Sequence, residues 1–330
     1  MRANILLLTT GGTIASTATD EGLKPTADGA SLLSMLGSDV GCDITIKNLL
    51  TLDSSNMQPE EWQLIARTIF EERINYDGIV LTHGTDTMAY TASMLSFMLP
   101  GIDLPVVLTG SQLPIFHPLS DAIENLRTAF AMAQSKIPGI FIAFDRKVLL
   151  GCRSVKVRTT DFKAFESINI PPVATVSAQG LVINHALIPK QQGECRLMDK
   201  CDSRVTLLKL IPGLDPKIFP LLRLMDCRGV VLEAFGSGGL AFIRRNLVSE
   251  LGDLVEHGIP VVVCSQCLYE KSDMSIYETG QLALKKGVLQ GGDMTSEAAV
   301  TKMMWALGNS SSAAEVAEMF SRSLVGECSE

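Results

Sequence analysis

Short apolar runs alternate along the chain with segments whose apolar residues recur every three or four positions. Uninterrupted apolar runs are typical of strands that are buried on both faces of a parallel sheet. The segments between them have the period of amphipathic helices, most clearly in residues 59–73. This alternation predicts βαβ units and an α/β fold with a mainly parallel sheet. The predicted strands lie in residues 4–10, 77–84, 104–111, 139–144, 205–211, 229–236 and 259–266.

One segment interrupts this alternation. Residues 189–204 are polar and follow neither the helical nor the strand period, which is typical of a linker. A chain of 330 residues also exceeds the size that one hydrophobic core usually serves. The sequence therefore predicts a larger N-terminal domain, residues 1–188, and a smaller C-terminal domain, residues 205–330.

Composition and charge narrow the range of partners and compartments. The formal net charge is −8, which argues against nucleic acid or an anionic membrane as a main partner. No apolar run approaches the roughly 20 residues that span a bilayer, and the first run is too short for a secretory signal. Eight cysteines are scattered without a disulfide framework. We therefore expect a cytoplasmic protein with reduced thiols.

Chemistry is concentrated where three predicted strands end. Ligands of open parallel sheets bind beyond the carboxyl ends of the strands. Glycine allows close backbone approach there, and hydroxyl side chains bind small polar molecules or supply a nucleophile. These features predict a binding or catalytic site at this edge. The segments concerned are Thr10-Gly11-Gly12-Thr13, His83-Gly84-Thr85-Asp86-Thr87 and Gly110-Ser111-Gln112.

A threonine nucleophile needs a base, because its hydroxyl stays protonated near neutral pH. His83 is one candidate, and Lys156 is a second if its surroundings favour the neutral amine. Each residue also has a simpler interpretation. Thr85 or Thr87 suits the cap of a helix that begins near Met88, and Lys156 alone suits a solvated surface position. These alternatives stay open from the residues alone.

Neither a metal site nor a cofactor motif is visible. The cysteines of the pair Cys264 and Cys267 are either a redox couple or two structural thiols, and no histidines lie at zinc-ligand spacing beside them. The Gly-Gly turn matches neither the dinucleotide fingerprint nor the P-loop. We expect no metal and no organic cofactor.

Several motifs of the chain occur together in one known family. They are TGGTIAS, HGTDTMAYTASML, LTGSQLP with SDAIENL, and QGGDMTSEAAVTK. With these motifs the chain resembles the bacterial asparaginase family, most closely the cytoplasmic type I L-asparaginases, and the resemblance extends nearly end to end. It implies a larger N-terminal α/β domain and a smaller, Rossmann-like C-terminal α/β domain, without metal or cofactor. It also implies a homodimer or homotetramer with sites at the subunit interface.

The resemblance further implies that L-asparagine is hydrolysed to L-aspartate and ammonia through a threonine acyl-enzyme. Thr13 matches the primary nucleophile. Thr85, Asp86 and Lys156 match a second catalytic triad, and backbone N–H groups beside the two threonines match the oxyanion hole. The residues that match substrate-binding positions are Asp53, Ser54, Ser55, Thr85, Asp86 and Ser111.

The chain departs from the family pattern at two places. Leu23 stands where many members carry a tyrosine that helps to activate the threonine, and the nearest hydroxyls in sequence belong to Thr17 and Thr19. Some type I enzymes also have a second, activating asparagine site that contains a cysteine, matched by Cys267, and an arginine. Glu233 replaces that arginine, so we expect allosteric activation to be absent or altered.

Three other functions compete with asparagine hydrolysis. A glutaminase differs by one methylene of substrate, which is worth about 1–3 kcal/mol of discrimination. An amidase subunit of a tRNA-dependent amidotransferase shares the motifs, but a basic RNA-facing surface is expected there and this chain is acidic. A non-catalytic amino-acid sensor would not need Thr13, Thr85, Asp86 and Lys156 together.

Overall fold

The structure is a computed structural model that describes residues 2–19, 22–25, 27–37, 40–190 and 193–329. Its internal contacts divide the chain between Asp199 and Lys200 into two compact units. This division lies inside the polar segment 189–204. The prediction of an α/β fold with a mainly parallel sheet is confirmed in both units.

The N-terminal unit is organised around an eight-stranded sheet with the order β12-β11-β8-β7-β6-β5-β1-β4. The five strands β7, β6, β5, β1 and β4, which are adjacent in this order, run parallel. Strands β8, β11 and β12 extend the sheet with antiparallel pairing. The strands of this unit are β1 (Ala3–Gly11), β2 (Ser16–Thr19), β3 (Gly22–Pro25), β4 (Cys42–Leu52), β5 (Gly78–Thr82), β6 (Pro105–Thr109), β7 (Gly139–Phe144), β8 (Lys147–Leu150), β9 (Ser154–Lys156), β10 (Phe165–Ser167), β11 (Ala174–Ser177) and β12 (Gly180–Ile183).

Helices cover the parallel part of this sheet. Strands β5, β6 and β7 are buried along their whole length, as their uninterrupted apolar sequences predict. The helix from Met88 to Met98 is buried on nearly all sides rather than on one face, since nearly every one of its residues is buried. The helices are α1 (Gly29–Leu36), α2 (Pro59–Glu72), α3 (Met88–Met98) and α4 (Ala122–Ala133).

Two short antiparallel pairs stand apart from the large sheet. Strands β2 and β3 form one pair directly after the first predicted site segment. Strands β9 and β10 form the other, with Lys156 opposite Phe165. Lys156 is the last residue of β9, directly before the turn that leads to β10.

The C-terminal unit has a four-stranded parallel sheet with the order β13-β14-β15-β16. Helices α5, α6 and α7 pack their apolar side chains into a core with β14 and β15. The elements of this unit are β13 (Val205–Lys209), α5 (Ile218–Leu224), β14 (Gly229–Ala234), α6 (Leu247–Glu256), β15 (Val261–Ser265), α7 (Glu278–Lys285), β16 (Leu289–Gln290), α8 (Ser296–Asn309) and α9 (Ala313–Phe320).

Strands β4 and β13 at sheet edges differ from the prediction in instructive ways. Strand β4 was not predicted, because its sequence CDITIKNLLTL mixes polar and apolar residues and its burial alternates. The prediction that β13 is buried on both faces is wrong, since all five of its residues are partly or fully exposed. Both strands pair on one side only, so a mixed pattern suits them.

Candidate active site

The three glycine and hydroxyl segments lie at one edge of the large sheet. Strands β1, β5 and β6 are parallel neighbours, so their carboxyl ends coincide. Strand β4 is parallel to β1 on its other side and leads into residues 53–55. The loops that the sequence singles out therefore emerge side by side, as expected for the binding edge of an open α/β sheet.

Glycines allow these loops to touch. Gly11 and Gly12 have φ values of +101° and +82°, which other residues rarely adopt. A Cβ on Gly12 would lie 2.4 Å from the amide nitrogen of Gly84, and a Cβ on Gly84 would lie 2.5 Å from Ser54 Oγ. Backbone atoms of Gly84 and the side chain of Ser54 therefore occupy the space that a Cβ would need at these two glycines. The Gly-Gly turn brings the segment of Thr13 against the segment of residues 83–87.

Lys156 is bound to both candidate partners from that segment. Its Nζ donates to Thr85 Oγ1 at 2.8 Å and to Asp86 Oδ1 at 2.6 Å. The side chain of Lys156 is 16% exposed, whereas that of Asp86 is 64% exposed. The simpler interpretation of Lys156 as a solvated surface cation is therefore wrong.

This arrangement has a direct chemical consequence for Thr85. An ammonium group has donors only, so Lys156 occupies a lone pair of Thr85 Oγ1 and leaves the threonine proton directed elsewhere. Asp86 holds the charge of the lysine in place. The Thr85 hydroxyl thus accepts from Lys156 and can donate its own proton to another group.

Thr13 stands in contrast to Thr85. It begins a short 3-10 turn, Thr13–Ala15, directly after Gly12 and is half-buried. Its hydroxyl has no hydrogen-bond partner among the residues that the structure describes. The side chains of Leu23 and Thr19, which bear on its activation, lie outside the described part of the chain.

Residues 53–55 form a compact turn beside the glycine contacts. Asp53 Oδ1 accepts from the backbone N–H and the hydroxyl of Ser55, each at 2.8 Å. Ser54 is buried, and its carbonyl accepts from the Thr87 hydroxyl at 2.8 Å. Thr87 thereby joins this turn to the segment of Thr85, so its hydroxyl binds another loop instead of the start of α3.

Ser111 is buried and its hydroxyl is committed to its own loop, since it donates to the carbonyl of Leu113. Two residues for which the sequence predicts no role, Asp121 and Asn125, hold this loop. Asp121 accepts from the N–H groups of Gln112 and Leu113, and Asn125 donates to the Gly110 carbonyl at 3.0 Å. The motif SDAIENL, which contains both of these polar residues at the start of α4, is the sequence feature that could have indicated their role.

His83 lies beneath the site as a buried structural residue. Its Nδ1 donates to the Gly84 carbonyl at 2.7 Å, which fixes the tautomer, and its Nε2 accepts from Thr91 Oγ1 at 2.9 Å. Trp62 Nε1 donates to the same threonine oxygen at 2.9 Å. Burial lowers the pKa of His83 from 6.5 to about 4. Both ring nitrogens are occupied, so His83 is not placed as the catalytic base.

The buried histidine makes stability depend on pH. Above pH 6.5, His83 is neutral in both folded and unfolded chains; below it, the unfolded chain takes up a proton that the folded chain does not. We expect the free energy of unfolding to fall by about 3 kcal/mol from this residue between pH 6.5 and 4. Urea denaturation of His83→Gln should show a flatter dependence, with His185→Gln at an exposed position as the control. Parallel pH curves for His83→Gln and wild type would contradict this assignment.

The cysteine pair carries no sign of redox chemistry. Cys264 is buried and Cys267 is exposed, and both are free thiols. Burial raises the pKa of Cys264 to about 12, which disfavours the reactive thiolate. Among the described residues, no group of three or more His, Cys, Asp and Glu side chains is placed to hold a metal ion.

Glu233 lies at the end of β14 in the C-terminal unit. Its carboxylate accepts from Ser296 Oγ at 2.7 Å and lies 3.6 Å from Lys209 Nζ. The acidic Glu297 is close enough for Glu233 to contribute to a raised pKa, although burial is the larger cause. This corner of the unit therefore holds two carboxylates, one of which pairs with Lys209.

Within the described ranges, no helix has the length and apolar character needed to cross a bilayer.

Comparison with known proteins covers almost the whole chain. Residues 4–189 match the family model for the asparaginase N-terminal domain, and residues 204–320 match that for the glutaminase/asparaginase C-terminal domain. The chain is 43% identical to an L-asparaginase from Thermococcus kodakarensis over 327 residues, which cover 98% of each protein.

Solved structures agree. The thermostable L-asparaginase from Thermococcus kodakarensis superposes with a TM-score of 0.93 at 42% identity, covering 99% of both chains. L-asparaginase I from Vibrio cholerae gives 0.90 at 31% identity and covers both chains fully. A probable cytoplasmic L-asparaginase from Campylobacter jejuni gives 0.83 at 25% identity, covering 98% of this chain and 100% of that one. The chain belongs to the asparaginase family.

Proposed function

We propose that this protein hydrolyses L-asparagine to L-aspartate and ammonia through a threonine acyl-enzyme. The observation that carries the proposal is the Lys156 ammonium bound to Thr85 and Asp86 at the carboxyl edge of the sheet. Relatives described as L-asparaginases over the full length support the choice of substrate. A cytoplasmic location is supported by the resemblance to type I enzymes. The relative described as a probable cytoplasmic L-asparaginase supports the same location.

The first half of the reaction forms an ester. Thr13 Oγ1 attacks the side-chain amide carbon of asparagine and releases its hydroxyl proton to water, and backbone N–H groups beside Thr13 and Thr85 stabilise the oxyanion. The carbon–nitrogen bond then breaks, and the leaving nitrogen takes a proton from Thr85. Lys156 returns a proton to Thr85, which its 2.8 Å hydrogen bond allows. Ammonia leaves, and aspartate remains bound to Thr13 through its side-chain carbonyl.

The second half hydrolyses the ester. Water attacks the same carbonyl carbon and gives one proton to the neutral Lys156 through Thr85. As the carbon–oxygen bond breaks, Thr13 takes the second proton of this water, and L-aspartate is released with its side chain as a carboxylate. Two steps of moderate difficulty thereby replace the direct attack of water on an unreactive amide.

Small polar groups around this centre select a free amino acid. We assign the α-amino and α-carboxylate groups of asparagine to Asp53, Ser54, Ser55 and Asp86, and the side-chain amide to Ser111. Asp86 uses Oδ1 for Lys156, which leaves its second carboxylate oxygen for the substrate ammonium. Buried Ser54 carries its hydroxyl at the contact with Gly84, beside the Gly-Gly turn.

We further propose a homodimer or homotetramer with sites at the subunit interface, as the resemblance implies. Light scattering coupled to size exclusion measures the assembly directly. A monomer that retains full activity would contradict an interfacial site. Neither a nucleic acid nor a membrane is proposed as a partner, in keeping with the net charge of −8.

Release of ammonia and aspartate tests the proposed activity. The purified chain is incubated separately with L-asparagine and L-glutamine, and both products are quantified. We expect equal amounts of ammonia and aspartate from L-asparagine and a lower kcat/KM for L-glutamine. A preference for L-glutamine would make the protein a glutaminase. Binding of L-asparagine without ammonia release would identify an amino-acid sensor.

The carboxylate of Glu233, which stands where the family pattern has an arginine, predicts simple kinetics. A second asparagine bound there would bring its α-carboxylate against Glu233, with Glu297 nearby. We expect the rate to depend hyperbolically on the concentration of L-asparagine. A sigmoidal curve that becomes hyperbolic in Glu233→Gln or Cys267→Ser would contradict the absence of an activating site.

A further inference from the structure

Gln112 joins the Thr85 hydroxyl to the loop that follows Lys156. Its Oε1 lies 3.5 Å from Thr85 Oγ1, and its Nε2 donates to the carbonyls of Thr159 and Asp161, each at 3.1 Å. Carbonyl oxygens only accept, so the amide nitrogen must face the loop and the amide oxygen must face Thr85. The orientation of this side chain is therefore fixed by its partners.

The backbone of Gln112 is held independently of its side chain. The carboxylate of Asp121 accepts from the Gln112 N–H with both oxygens at 3.1 Å and from the Leu113 N–H at 3.2 Å. Asn125 binds this carboxylate and the Gly110 carbonyl, each at 3.0 Å. The start of α4 thus anchors the base from which Gln112 reaches across the site.

The loop at the other end of the Gln112 amide is also ordered. Arg158 binds the Lys163 carbonyl at 3.0 Å and Glu166 at 2.7 Å, and the Val157 N–H donates to the Ala164 carbonyl at 2.8 Å. These contacts close the turn between β9 and β10. The Gln112 amide therefore connects the loop held by α4 with the turn between β9 and β10, and its oxygen faces the Thr85 hydroxyl.

We propose that Gln112 is a positioning residue that sets the geometry between Thr85 and Lys156. The inference rests on the proposed function, in which a proton passes between these two side chains. The amide oxygen of Gln112 takes the direction of the Thr85 proton when no substrate is bound. Its amide nitrogen keeps the chain after Lys156 from moving away. Hydrogen bonds of catalytic groups are often long before substrate binds, so the 3.5 Å distance suits this role.

Two substitutions test this amide. Gln112→Met removes both ends, while Gln112→Glu keeps an acceptor for Thr85 and loses both donors to the loop. Gln134→Met is the matched control, because the half-buried amide of Gln134 also donates to two carbonyls, Val40 and Phe130, each at 3.0 Å. We expect both Gln112 variants to lower kcat on L-asparagine by about ten- to a hundredfold with KM little changed. The Gln134 variant should keep the wild-type kcat.

Hydrogen exchange gives a readout that does not depend on activity. Both Gln112 variants should exchange the amides of residues 158–163 severalfold faster than wild type, while the rest of the chain is unchanged. Amide exchange in this loop at the wild-type rate would show that Gln112 does not hold the loop, which would overturn the proposal. Faster exchange with a wild-type kcat would overturn the positioning role. If the wild-type protein is inactive, only the proposed function is overturned, because the exchange result still decides whether Gln112 holds the loop.

Discussion

Lys156→Met is expected to lower kcat for L-asparagine by about 10²- to 10⁴-fold, the range for loss of a positioned proton-transfer group. The substitution removes the donor to Thr85 Oγ1 and leaves the Asp86 carboxylate without its cation. Thr85 can then still give up its proton but cannot regain it from a neighbour. Steady-state ammonia release measures the loss. KM should change less than kcat, because Lys156 is not assigned to the substrate.

A matched lysine elsewhere separates this effect from the loss of an ion pair. Lys47 Nζ lies 2.6 Å from Glu72, the same distance as Lys156 from Asp86, and its side chain is 43% exposed. Lys47→Met should retain the wild-type kcat. Thr85→Val should resemble Lys156→Met, and the double variant should lose little more, because the two residues act as a unit. A Lys156→Met enzyme within threefold of wild type would contradict the role of the pair.

Lys302→Met and Glu327→Gln are each expected to lower the free energy of unfolding by about 3–5 kcal/mol, as when one partner of a buried ion pair is removed. Neither side chain is exposed to solvent, and Lys302 Nζ lies 2.5 Å from Glu327 Oε1. Lys302 also donates to the Arg322 carbonyl at 2.9 Å. Each single substitution leaves buried groups unsatisfied, which is more costly than losing an exposed pair.

The same buried pair holds the C-terminal segment. The Glu327 carboxylate accepts from the N–H groups of Leu324 and Val325 at 2.8–3.0 Å, so it closes a turn over α8 as well as binding Lys302. We expect replacement of both residues by apolar ones to restore only part of the stability, because those N–H groups stay unpaired. Urea denaturation measures each step. Lys47→Met should cost at most about 1 kcal/mol, as exposed pairs do. Equal costs for Lys302→Met and Lys47→Met would contradict this role.

The fold was predictable where apolar pattern and burial agree. Strands β5, β6 and β7 are uninterrupted apolar runs that are enclosed on both faces, and their parallel order follows from the helices between them. The edge strands β4 and β13 were less predictable. A strand with one free side accepts polar residues, so its pattern does not distinguish it from a loop or from a buried strand.

The candidate site was predictable as a place but not as a set of contacts. Strand ends indicated the edge, and the family motifs indicated the residues. Lys156 is 71 positions from Thr85, and its contact with that hydroxyl from the end of β9 is visible only in the folded chain. His83 shows the opposite limit. It lies in the motif itself, yet burial and two hydrogen bonds make it structural. Its sequence position alone did not distinguish these roles.

The most direct test of the account is detection of the threonine ester. Wild-type protein is mixed with L-asparagine, quenched with acid at times within the first turnover, and digested for peptide mass spectrometry. We expect an aspartyl ester on the peptide that contains Thr13, formed together with the first ammonia and absent from Thr13→Ala. Ammonia release at the wild-type rate with no ester on Thr13 at any time, or by Thr13→Ala, would contradict it.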